Sequence, residues 1–344
     1  MRSRADETGA TRANVIAPRP STTGQERRRA AWIGRAALYS VTAFLTSAFL
    51  GTVTSLLWLA TPISGQAWFV TLHQAVLGLA FLSGAALFLV LFVCQRFLVP
   101  PKNFYYSSVG GSRVHVGLTA YNDEACVGDA VREFKACPLV HRVVVVENNS
   151  RDRTVDVARS AEVDAVITEP VPGYGSCCMR AMAEAAAGLN DNDVVVLCEG
   201  DMTFSANDVA KFLAYVENCD LVLGTRTTQE LRESRTQMDW LINPANQILA
   251  KLIQTRFWGT RLTDCGCTYR AMRVGSYRRL RETLHVRGNH FSPHMYIEAL
   301  KLGMRVVEIP VVFRHRAGTS KGVGSNKVKA ARVALRMLGL LYRA

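Results

Sequence analysis

The chain has 344 residues, enough to bury a large core, and its formal net charge is +13. Such an excess of positive charge indicates an anionic partner, which can be nucleic acid, phospholipid headgroups or a phosphorylated substrate. The arginines crowd the first 35 residues and the C-terminal tail, and they do not alternate with aromatic residues as in nucleic-acid-binding segments. We therefore expect a membrane and a phosphorylated substrate as partners, and no nucleic acid.

The N-terminal third predicts a membrane anchor. Residues 1–30 are rich in Arg, Ser, Thr, Ala and Pro, which predicts a disordered basic tail. From Ala36 to Gln95 the sequence contains no Asp, Glu, Lys or Arg, and two apolar spans of about Ala36–Ala60 and Ala67–Cys94 are each long enough to cross a bilayer. Residues 31–99 are therefore predicted to form a transmembrane hairpin.

The charges around the hairpin predict its orientation. Arginines precede the first span, and Arg96 and Lys102 follow the second. The positive-inside rule then places the N-terminus and the large domain in the cytosol, and we expect a multi-pass protein of a bacterial inner membrane. Ala80 and Gly84 form a small-xxx-small step, which packs the hairpin or joins protomers of a homo-oligomer. The nine cysteines lack zinc-site spacing, which favours reduced thiols in a cytosolic domain.

Residues 100–325 are predicted to form an α/β domain, because strands alternate with helices and this pattern is typical of βαβ units and a mostly parallel sheet. The predicted strands are Val114–Leu118, His141–Val146, Ala165–Ile167, Val194–Leu197, Leu221–Leu223 and Val306–Ile309. The predicted helices are Ala125–Ala136, Thr154–Ser160, Cys177–Ala187, Val209–Glu217, Met238–Ile253 and Gly288–Leu302. Residues 326–344 are predicted to form an amphipathic interfacial helix, with packing against the domain as the alternative.

The most informative strand is Val194–Leu197, which runs into the acidic tip Glu199-Gly200-Asp201. Carboxylates at the carboxyl end of a buried strand lie where open α/β sheets bind ligands. Two acids spaced i, i+2 suit a divalent cation that bridges a diphosphate. Other strands also end in polar loops at this edge, which predicts a nucleotide-sized crevice. Neither GxGxxG nor GxxxxGK[ST] occurs, so dinucleotide and P-loop sites are disfavoured.

Six motifs in order, placed at strand ends, resemble those of the family 2 glycosyltransferases, and especially of the dolichyl- and polyprenyl-phosphate sugar synthases. That branch typically shows P-x-Y-N-E, V-D-D-G-S-x-D-x-T, D-A-D, G-[ST]-R, D-x-x-x-G-[FY]-[RK] and R-x-x-G-x-S-K. The corresponding segments here are Thr119–Asp123, Val146–Thr154, Glu199–Asp201, Gly224–Arg226, Asp264–Arg270 and Arg316–Lys321. The resemblance covers roughly three fifths of the chain, from about Val114 to Lys321.

The resemblance implies a GT-A, Rossmann-like fold and a membrane-bound inverting transfer from a nucleotide sugar to polyprenyl phosphate, with Mg²⁺ or Mn²⁺. The implied nucleotide-sugar site consists of Thr119, Ala120, Tyr121, Asp123, Glu147, Asn148, Glu199, Gly200 and Asp201. Asp201 would hold the metal, assisted by Glu199. Phosphate or acceptor contacts are implied for Arg226, Arg314, Arg316, Ser320 and Lys321. Asp264, with Arg226, is implied in catalysis as a base or an orienting group.

The sequence departs from the family pattern at several of these positions. The paired aspartates of the second motif are Glu147-Asn148, and an asparagine both donates and accepts hydrogen bonds. Glu199 replaces the first metal-site aspartate, which lengthens that side chain by a methylene, and the glycine of the fifth motif falls on Thr268. Gln-x-x-Arg-Trp, the signature of processive synthases, is absent, which favours a single transfer per encounter.

Other interpretations follow from individual features. The acceptor can be a hydroxyl of a glycolipid or lipid-linked saccharide, in which case Asp264 would have to be a true base. The altered acidic residues also suit a non-catalytic scaffold, although the retained Asp201, Arg226 and Lys321 disfavour it. His290 and His294 are spaced as metal ligands on a helix, but Pro293 between them predicts an irregular segment. Tyr174, between two glycines, is interpreted as shaping the turn before a helix.

Overall fold

A computed structural model describes residues 24–60, 66–90, 92, 106–234, 236, 242–257, 261–316 and 327–344. Two helices, α1 (Gly24–Ala60) and α2 (Ala67–Leu89), form the N-terminal hairpin. Both are long and apolar enough to cross a membrane by length and composition. Helix α1 begins inside the segment 1–30 that the sequence predicts to be disordered, and residues 1–23 of that segment lie outside the described part of the chain.

Polar side chains inside the hairpin tie its two helices together. Thr54 Oγ1 lies 2.9 Å from His73 Nδ1, and Ser47 Oγ lies 3.4 Å from Ser83 Oγ. Gly84, from the predicted small-xxx-small step, faces α1, because a Cβ there would lie 3.2 Å from the ring of Phe44. This contact agrees with packing of the step within the hairpin, and the homo-oligomer stays a prediction.

The large domain contains a seven-stranded sheet of order β3-β2-β1-β4-β6-β5-β7. The strands are β1 (Val114–Ala120), β2 (Arg142–Glu147), β3 (Ala165–Thr168), β4 (Val194–Glu199), β5 (Leu221–Thr225), β6 (Arg270–Arg273) and β7 (Val306–Pro310). Only the pairings of β6 with β4 and β5 are antiparallel among these strands. The predicted mostly parallel α/β sheet is therefore confirmed.

Helices cover both faces of the sheet. They are α3 (Val127–Ala136), α4 (Thr154–Ser160), α5 (Tyr174–Ala186), α6 (Val209–Val216), α7 (Ile242–Arg256), α8 (Val274–Arg281), α9 (Phe291–Lys301) and α10 (Lys327–Arg343). Successive valines of β4 point to opposite faces, so Val195 joins the cluster under α5 while Val194 and Val196 join the cluster under α3 and α6. All three are fully buried, as the unbroken apolar run predicts.

Helix α7 connects the domain to the hairpin. At the α1–α7 crossing, a Cβ on Gly34 would lie 2.1 Å from the carbonyl oxygen of Arg256, so the two backbones touch there. Helix α10 packs against α7 and α9, and the rings of Tyr342 and Tyr39 are 5.8 Å apart. The C-terminal helix therefore lies at the point where α1 meets the domain, with Leu341 fully buried.

Strand β6, helix α8 and helix α9 differ from the sequence prediction. The sequence does not predict strand β6 and helix α8, because the strand sequence Arg-Ala-Met-Arg carries an arginine at each end. Both arginines are buried and donate to backbone carbonyls, Arg270 to Thr268 and Arg273 to Asn192. The prediction that Pro293 prevents a regular helix is wrong, because Pro293 lies in the first turn of α9, where its missing N–H has no intrahelical partner to lose.

Candidate active site

Most sequence-predicted site residues gather at one edge of the sheet. The parallel strands β1, β2, β4 and β5 all end there, and β6, which runs the opposite way, begins there. The β4–β6 register pairs Leu197 with Arg270, so two residues further along Glu199 lies beside Thr268. The antiparallel direction of β6 therefore brings the loop Asp264–Thr268 to the edge that carries Glu199 and Asp201.

At the centre of this edge, one arginine lies between two carboxylates. Arg316 donates from Nη2 to Asp123 Oδ1 at 2.7 Å, and its Nη1 lies 3.2 Å from Asp201 Oδ2. Both aspartates are almost fully buried. Arg316 thus joins the end of β1, the tip of β4 and the segment after β7, and its charge offsets two carboxylates that would otherwise repel each other.

The surroundings of Asp201 favour a cation. Thr203 donates from N and Oγ1 to Asp201 Oδ1, which fixes the carboxylate. Burial first, and the neighbouring Glu199 second, raise the pKa of Asp201 well above its usual range. A second positive charge at this position would lower that pKa again, which is the role that the guanidinium of Arg316 fills in part.

A divalent cation fits the residues present. Mg²⁺ is commonly held by one or two protein carboxylates together with substrate phosphates and water, rather than by a complete cage of protein ligands. Asp201 and Glu199 supply hard oxygen atoms of that kind at the tip of β4. Within the described residues no cluster of three or more His, Cys, Asp or Glu could hold a metal by itself.

Glu199 is held by two hydroxyls that the sequence did not assign to the site. Its Oε1 accepts hydrogen bonds from Thr268 Oγ1 at 2.8 Å and from Tyr174 OH at 3.2 Å, and the two hydroxyls also contact each other. Tyr174 therefore does more than shape a turn. The signal that could have revealed Thr268 was its position in the fifth motif, where the related sequences carry glycine.

Asn148 organises a loop of the site through its backbone contacts. Its Nδ2 donates to the carbonyl oxygens of Glu169 and Val171, and its Oδ1 accepts from Gly173 N at 2.8 Å. An aspartate could not donate these two bonds, which gives the asparagine at this position a structural reason. The adjacent Glu147 is buried and accepts from Ser150 N at 2.7 Å, so both residues fix the loops that follow β2 and β3.

Backbone groups of the first and third motifs tie the ends of the central strands together. Gly200 N donates to the carbonyl oxygen of Thr119, and Asn148 N donates to that of Ala120. Tyr121 N donates to Asp123 Oδ2 at 2.9 Å, while the side chain of Tyr121 is 45% exposed at the mouth of the crevice.

Arg226 and Asp264 form a closed ion pair. Arg226 donates from Nε and Nη2 to the two carboxylate oxygens of Asp264 at 2.7 and 2.9 Å. The backbone N–H groups of Arg226 and Gly266 donate to the same carboxylate. Burial would raise the pKa of Asp264, but the charge and hydrogen bonds of Arg226 outweigh it and hold that pKa below its usual range.

Glu308 of β7 holds the backbone of the loop that carries Asp264. Its carboxylate accepts from the backbone N–H groups of Thr263 and Asp264 and from Thr263 Oγ1 at 2.7 Å. Thr225 and Thr227 complete a triangle of hydroxyls with Thr263, with oxygen separations of 2.8 to 3.0 Å. The loop that carries Asp264 is therefore fixed to both β5 and β7.

The remaining predicted phosphate contacts separate into two groups. Arg314 forms a two-point ion pair with Glu133 on α3, at 2.7 and 3.0 Å, and so is not brought to the carboxylates of Asp123 and Asp201. Ser320 and Lys321 lie outside the described residues. Of the predicted phosphate contacts Arg314, Arg316 and Lys321, Arg316 is the one that the described structure brings to the acidic tip.

Comparison with solved structures identifies the class to which this fold belongs. Glucosyl-3-phosphoglycerate synthase from Mycobacterium tuberculosis, solved with Mn²⁺, UDP-glucose and phosphoglyceric acid, is similar over 67% of this chain and 80% of its own, with a TM-score of 0.50 and 17% identity. At this identity the likeness shows the fold alone, and that fold is GT-A.

Sequence comparison then identifies the family. Residues 116–281 match the family model described as glycosyl transferase family 2. The chain therefore carries a family 2 glycosyltransferase domain, and the protein is a glycosyltransferase.

Two relatives have named activities. A dolichyl-phosphate hexose transferase of Haloferax volcanii is 27% identical over 60% of this chain and 85% of its own. An undecaprenyl-phosphate mannosyltransferase of Micrococcus luteus is 29% identical over 53% of this chain and 76% of its own. An uncharacterized glycosyltransferase of Mycobacterium tuberculosis is 27% identical over 65% of this chain and 93% of its own.

Proposed function

We propose that this glycosyltransferase moves a sugar from a nucleotide-sugar donor to a polyprenyl phosphate, with inversion at the anomeric carbon and with a divalent metal. The names of two relatives, a dolichyl-phosphate hexose transferase and an undecaprenyl-phosphate mannosyltransferase, support this acceptor class. The geometry of one ion pair supports this acceptor over a hydroxyl.

The observation that carries the proposal is that hydrogen-bond donors of the protein already surround the carboxylate of Asp264. Its carboxylate accepts four hydrogen bonds, three from Arg226 and one from Gly266, and its side chain has no exposed surface. A general base must reach the acceptor proton and must release its own hydrogen-bond donors to do so. Asp264 is therefore an orienting group for Arg226 in this proposal, and the acceptor needs to be one that requires no base.

A phosphate monoester satisfies this requirement. Its second pKa is near 6, so it is already a dianion at neutral pH. In the proposed step, an oxygen of the acceptor phosphate attacks the anomeric carbon, and the bond from that carbon to the diphosphate oxygen breaks. The electron pair of the broken bond leaves with the nucleoside diphosphate, and no proton has to be removed from the nucleophile.

The chain's own residues bind and orient the two anionic substrates. Tyr121, Asp123 and Glu147 would contact the nucleoside at the ends of β1 and β2, on loops that Asn148 holds in place. Asp201, with Glu199, would hold Mg²⁺ or Mn²⁺ against the diphosphate, and this metal would neutralise the charge that develops on the leaving group. Arg226 contributes a fixed positive charge at the end of β5, where Asp264 fixes its orientation.

The acceptor phosphate needs cations so that two anions can approach each other. Arg316 lies at the acidic tip, 3.2 Å from Asp201, and would exchange this contact for a substrate phosphate when the donor and metal enter. Ser320 and Lys321 follow within five residues and are proposed to bind the same phosphate. Arg314, which is paired with Glu133, is left out of this role.

The hairpin supports a membrane location for the reaction. Two helices are long enough to span a bilayer, and α7 joins α1 directly to the catalytic domain. We propose that the N-terminus and the domain face the cytosol, where α10 with its arginines lies near the membrane surface. A bacterial inner membrane stays the expected location.

The test uses the purified full chain in detergent with polyprenyl phosphate, Mg²⁺ or Mn²⁺, and a panel of UDP- and GDP-sugars. We expect release of the nucleoside diphosphate together with a new lipid-soluble sugar, both abolished by EDTA and by Asp201→Ala. Asp191→Ala is the matched control, because Asp191 is an exposed carboxylate near the opposite end of β4, paired with Arg278. Sugar transfer to a glycolipid hydroxyl but not to polyprenyl phosphate would contradict the proposal.

A further inference from the structure

Two departures from the family pattern are in direct contact in the folded chain. Glu199 stands where related sequences carry aspartate, and Thr268 stands where they carry glycine. The β4–β6 register places the two side by side, and Thr268 Oγ1 donates to Glu199 Oε1 at 2.8 Å. A glycine could not make this bond, and the shorter aspartate would not extend as far towards it. The two changes therefore complement each other.

Tyr174 adds a second donor to the same oxygen. Its OH lies 3.2 Å from Glu199 Oε1 and contacts Thr268 Oγ1. The tyrosine is fixed at the start of α5 because Gly175 N donates to the carbonyl oxygen of Arg287 at 2.8 Å. Gly173, at φ +134°, also packs against Arg287, since a Cβ there would lie 2.3 Å from the same carbonyl oxygen.

As a consequence, the two carboxylate oxygens of Glu199 have different surroundings. Among the described residues, hydrogen bonds from the protein reach Oε1 only. Because Oε1 is held by the buried Thr268 and by Tyr174, rotation of the carboxylate is restricted and Oε2 takes a defined direction at the tip of β4. The extra methylene of Glu199 would otherwise add a freely rotating bond to the ligand side chain.

We infer that Thr268 and Tyr174 are positioning residues that hold one oxygen of Glu199 and present the other to the metal–diphosphate group of the donor. This inference rests on the proposed function for the identity of that ligand. It assigns a role to two uncharged hydroxyls, and we expect their loss to leave the fold in place. Their effect is exerted only through Glu199.

A double-mutant cycle tests that dependence. The variants are Thr268→Val, which is nearly isosteric and lacks the hydroxyl, Glu199→Asp, and the two together. The readout is Mn²⁺-dependent binding of UDP and of GDP to the full chain in detergent, measured by calorimetry without any acceptor. We expect Thr268→Val to weaken binding about tenfold in the wild-type background and less than about twofold in the Glu199→Asp background, where the hydroxyl has no carboxylate within reach.

Further variants separate positioning from folding. Thr268→Ser restores the hydroxyl and should restore binding, and Tyr174→Phe should reproduce part of the loss without lowering the melting temperature. The inference is wrong if Thr268→Val weakens nucleotide binding by the same factor with and without Glu199→Asp. It is also wrong if Thr268→Ser does not restore binding. These binding measurements need no acceptor. If the effects of Thr268→Val and Glu199→Asp depend on each other but the enzyme forms no polyprenyl product, the proposed function is wrong and the inference stands.

Discussion

Arg316 Nη1 lies 3.2 Å from Asp201 Oδ2, so the protein's own cation stands at the carboxylate that we propose as the metal ligand. The same guanidinium binds Asp123 at 2.7 Å, which links the residues that we propose for the nucleoside to those that we propose for the diphosphate. A metal ion that enters with the donor has to share Asp201 with this arginine or displace it. In our proposal, Arg316 therefore opposes metal binding in the free enzyme and assists phosphate binding in the loaded one.

Removing the charge of Arg316 should separate these two effects. We expect Arg316→Gln to bind Mn²⁺ about three- to tenfold more tightly in the absence of donor, because a positive neighbour of Asp201 is lost. Turnover should fall, because the cation that meets the substrate phosphate is also lost. Titration calorimetry with Mn²⁺ and initial rates with saturating donor measure the two quantities.

Arg314→Gln is the matched control for this experiment. Arg314 is two residues away and pairs with Glu133 rather than with the acidic tip. We expect its loss to lower the melting temperature and to leave the Mn²⁺ affinity unchanged. Equal Mn²⁺ affinities for wild type and Arg316→Gln would show that the Arg316–Asp201 contact does not compete with the metal.

The Arg226–Asp264 pair predicts a second outcome. In Asp264→Asn, an amide nitrogen would face the guanidinium, and the buried arginine would lose its counter-charge. We expect the free energy of unfolding to fall by about 3 kcal/mol and kcat to fall by about ten- to a hundredfold without being abolished. The acidic limb of the pH–rate profile should not move, because Asp264 does not act as the base in this proposal.

Asp208→Asn is the corresponding control, since Asp208 is an equally buried carboxylate that accepts from Val312 N away from the acidic tip. It should lower stability with little effect on kcat. Complete loss of turnover in Asp264→Asn, combined with the loss of a titrating group from the profile, would favour a hydroxyl acceptor and a true base.

The order of elements in the domain could be predicted because the strands are apolar and the helices amphipathic. Helix α4 matches its predicted bounds, α10 is one residue shorter at each end than the predicted segment 326–344, and the apolar run before Glu199 identified the central strand. Strand β6 could not be predicted from its apolar content, because its two buried arginines are compensated by backbone carbonyl groups, that of nearby Thr268 for Arg270 and that of distant Asn192 for Arg273. Because the sequence did not predict β6, it did not predict the antiparallel direction of this strand either.

The direction of β6 decides the composition of the site. It brings Asp264 to Arg226 and Thr268 to Glu199, and no spacing in the sequence reports a contact between residues 38 or 69 positions apart. The motifs identified the carboxylates and cations one by one. Which of them pair with each other depends on strand register, and so the pairing of Arg314 with Glu133 and the hydroxyls that hold Glu199 were found only in the structure.

Asn148 gives a third prediction, on the loop that follows β3. In Asn148→Asp, two N–H donors become a carboxylate that faces the carbonyl oxygens of Glu169 and Val171. We expect the free energy of unfolding to fall by about 2 kcal/mol and donor binding to weaken, because the loop that ends at Gly173 loses its support. Thermal unfolding and limited proteolysis of the loop measure the change.

The neighbouring Asn149→Asp is a matched control of the same chemistry. Asn149 is exposed, and its Nδ2 lies 3.3 Å from the carbonyl oxygens of Glu169 and Pro170. Water can replace these longer bonds, so the effect should be a small fraction of that at Asn148. Similar losses in the two variants would show that Asn148 does not support the loop in the way its contacts indicate.

His294 predicts how stability depends on pH. It is 1% exposed, and its Nε2 accepts a hydrogen bond from the backbone N–H of His285 at 3.3 Å, which requires the neutral ring. Burial and the adjacent His285 lower the pKa of His294 to about 4. Between about pH 6.5 and pH 4 the unfolded chain therefore binds a proton at this residue that the folded protein does not.

The direction in which stability changes with pH follows from that difference in bound protons. Stability from the neutral ring is present above about pH 6.5 and is lost as the pH falls, with a slope of at most about 1.4 kcal/mol per pH unit for this group. His294→Gln, which keeps an acceptor for His285 N but cannot titrate, should flatten the decline in melting temperature between pH 6.5 and 4. His141→Gln serves as the control, because that histidine is exposed and also accepts a backbone hydrogen bond, from Val114 N. Parallel pH curves for wild type and His294→Gln would contradict the assignment.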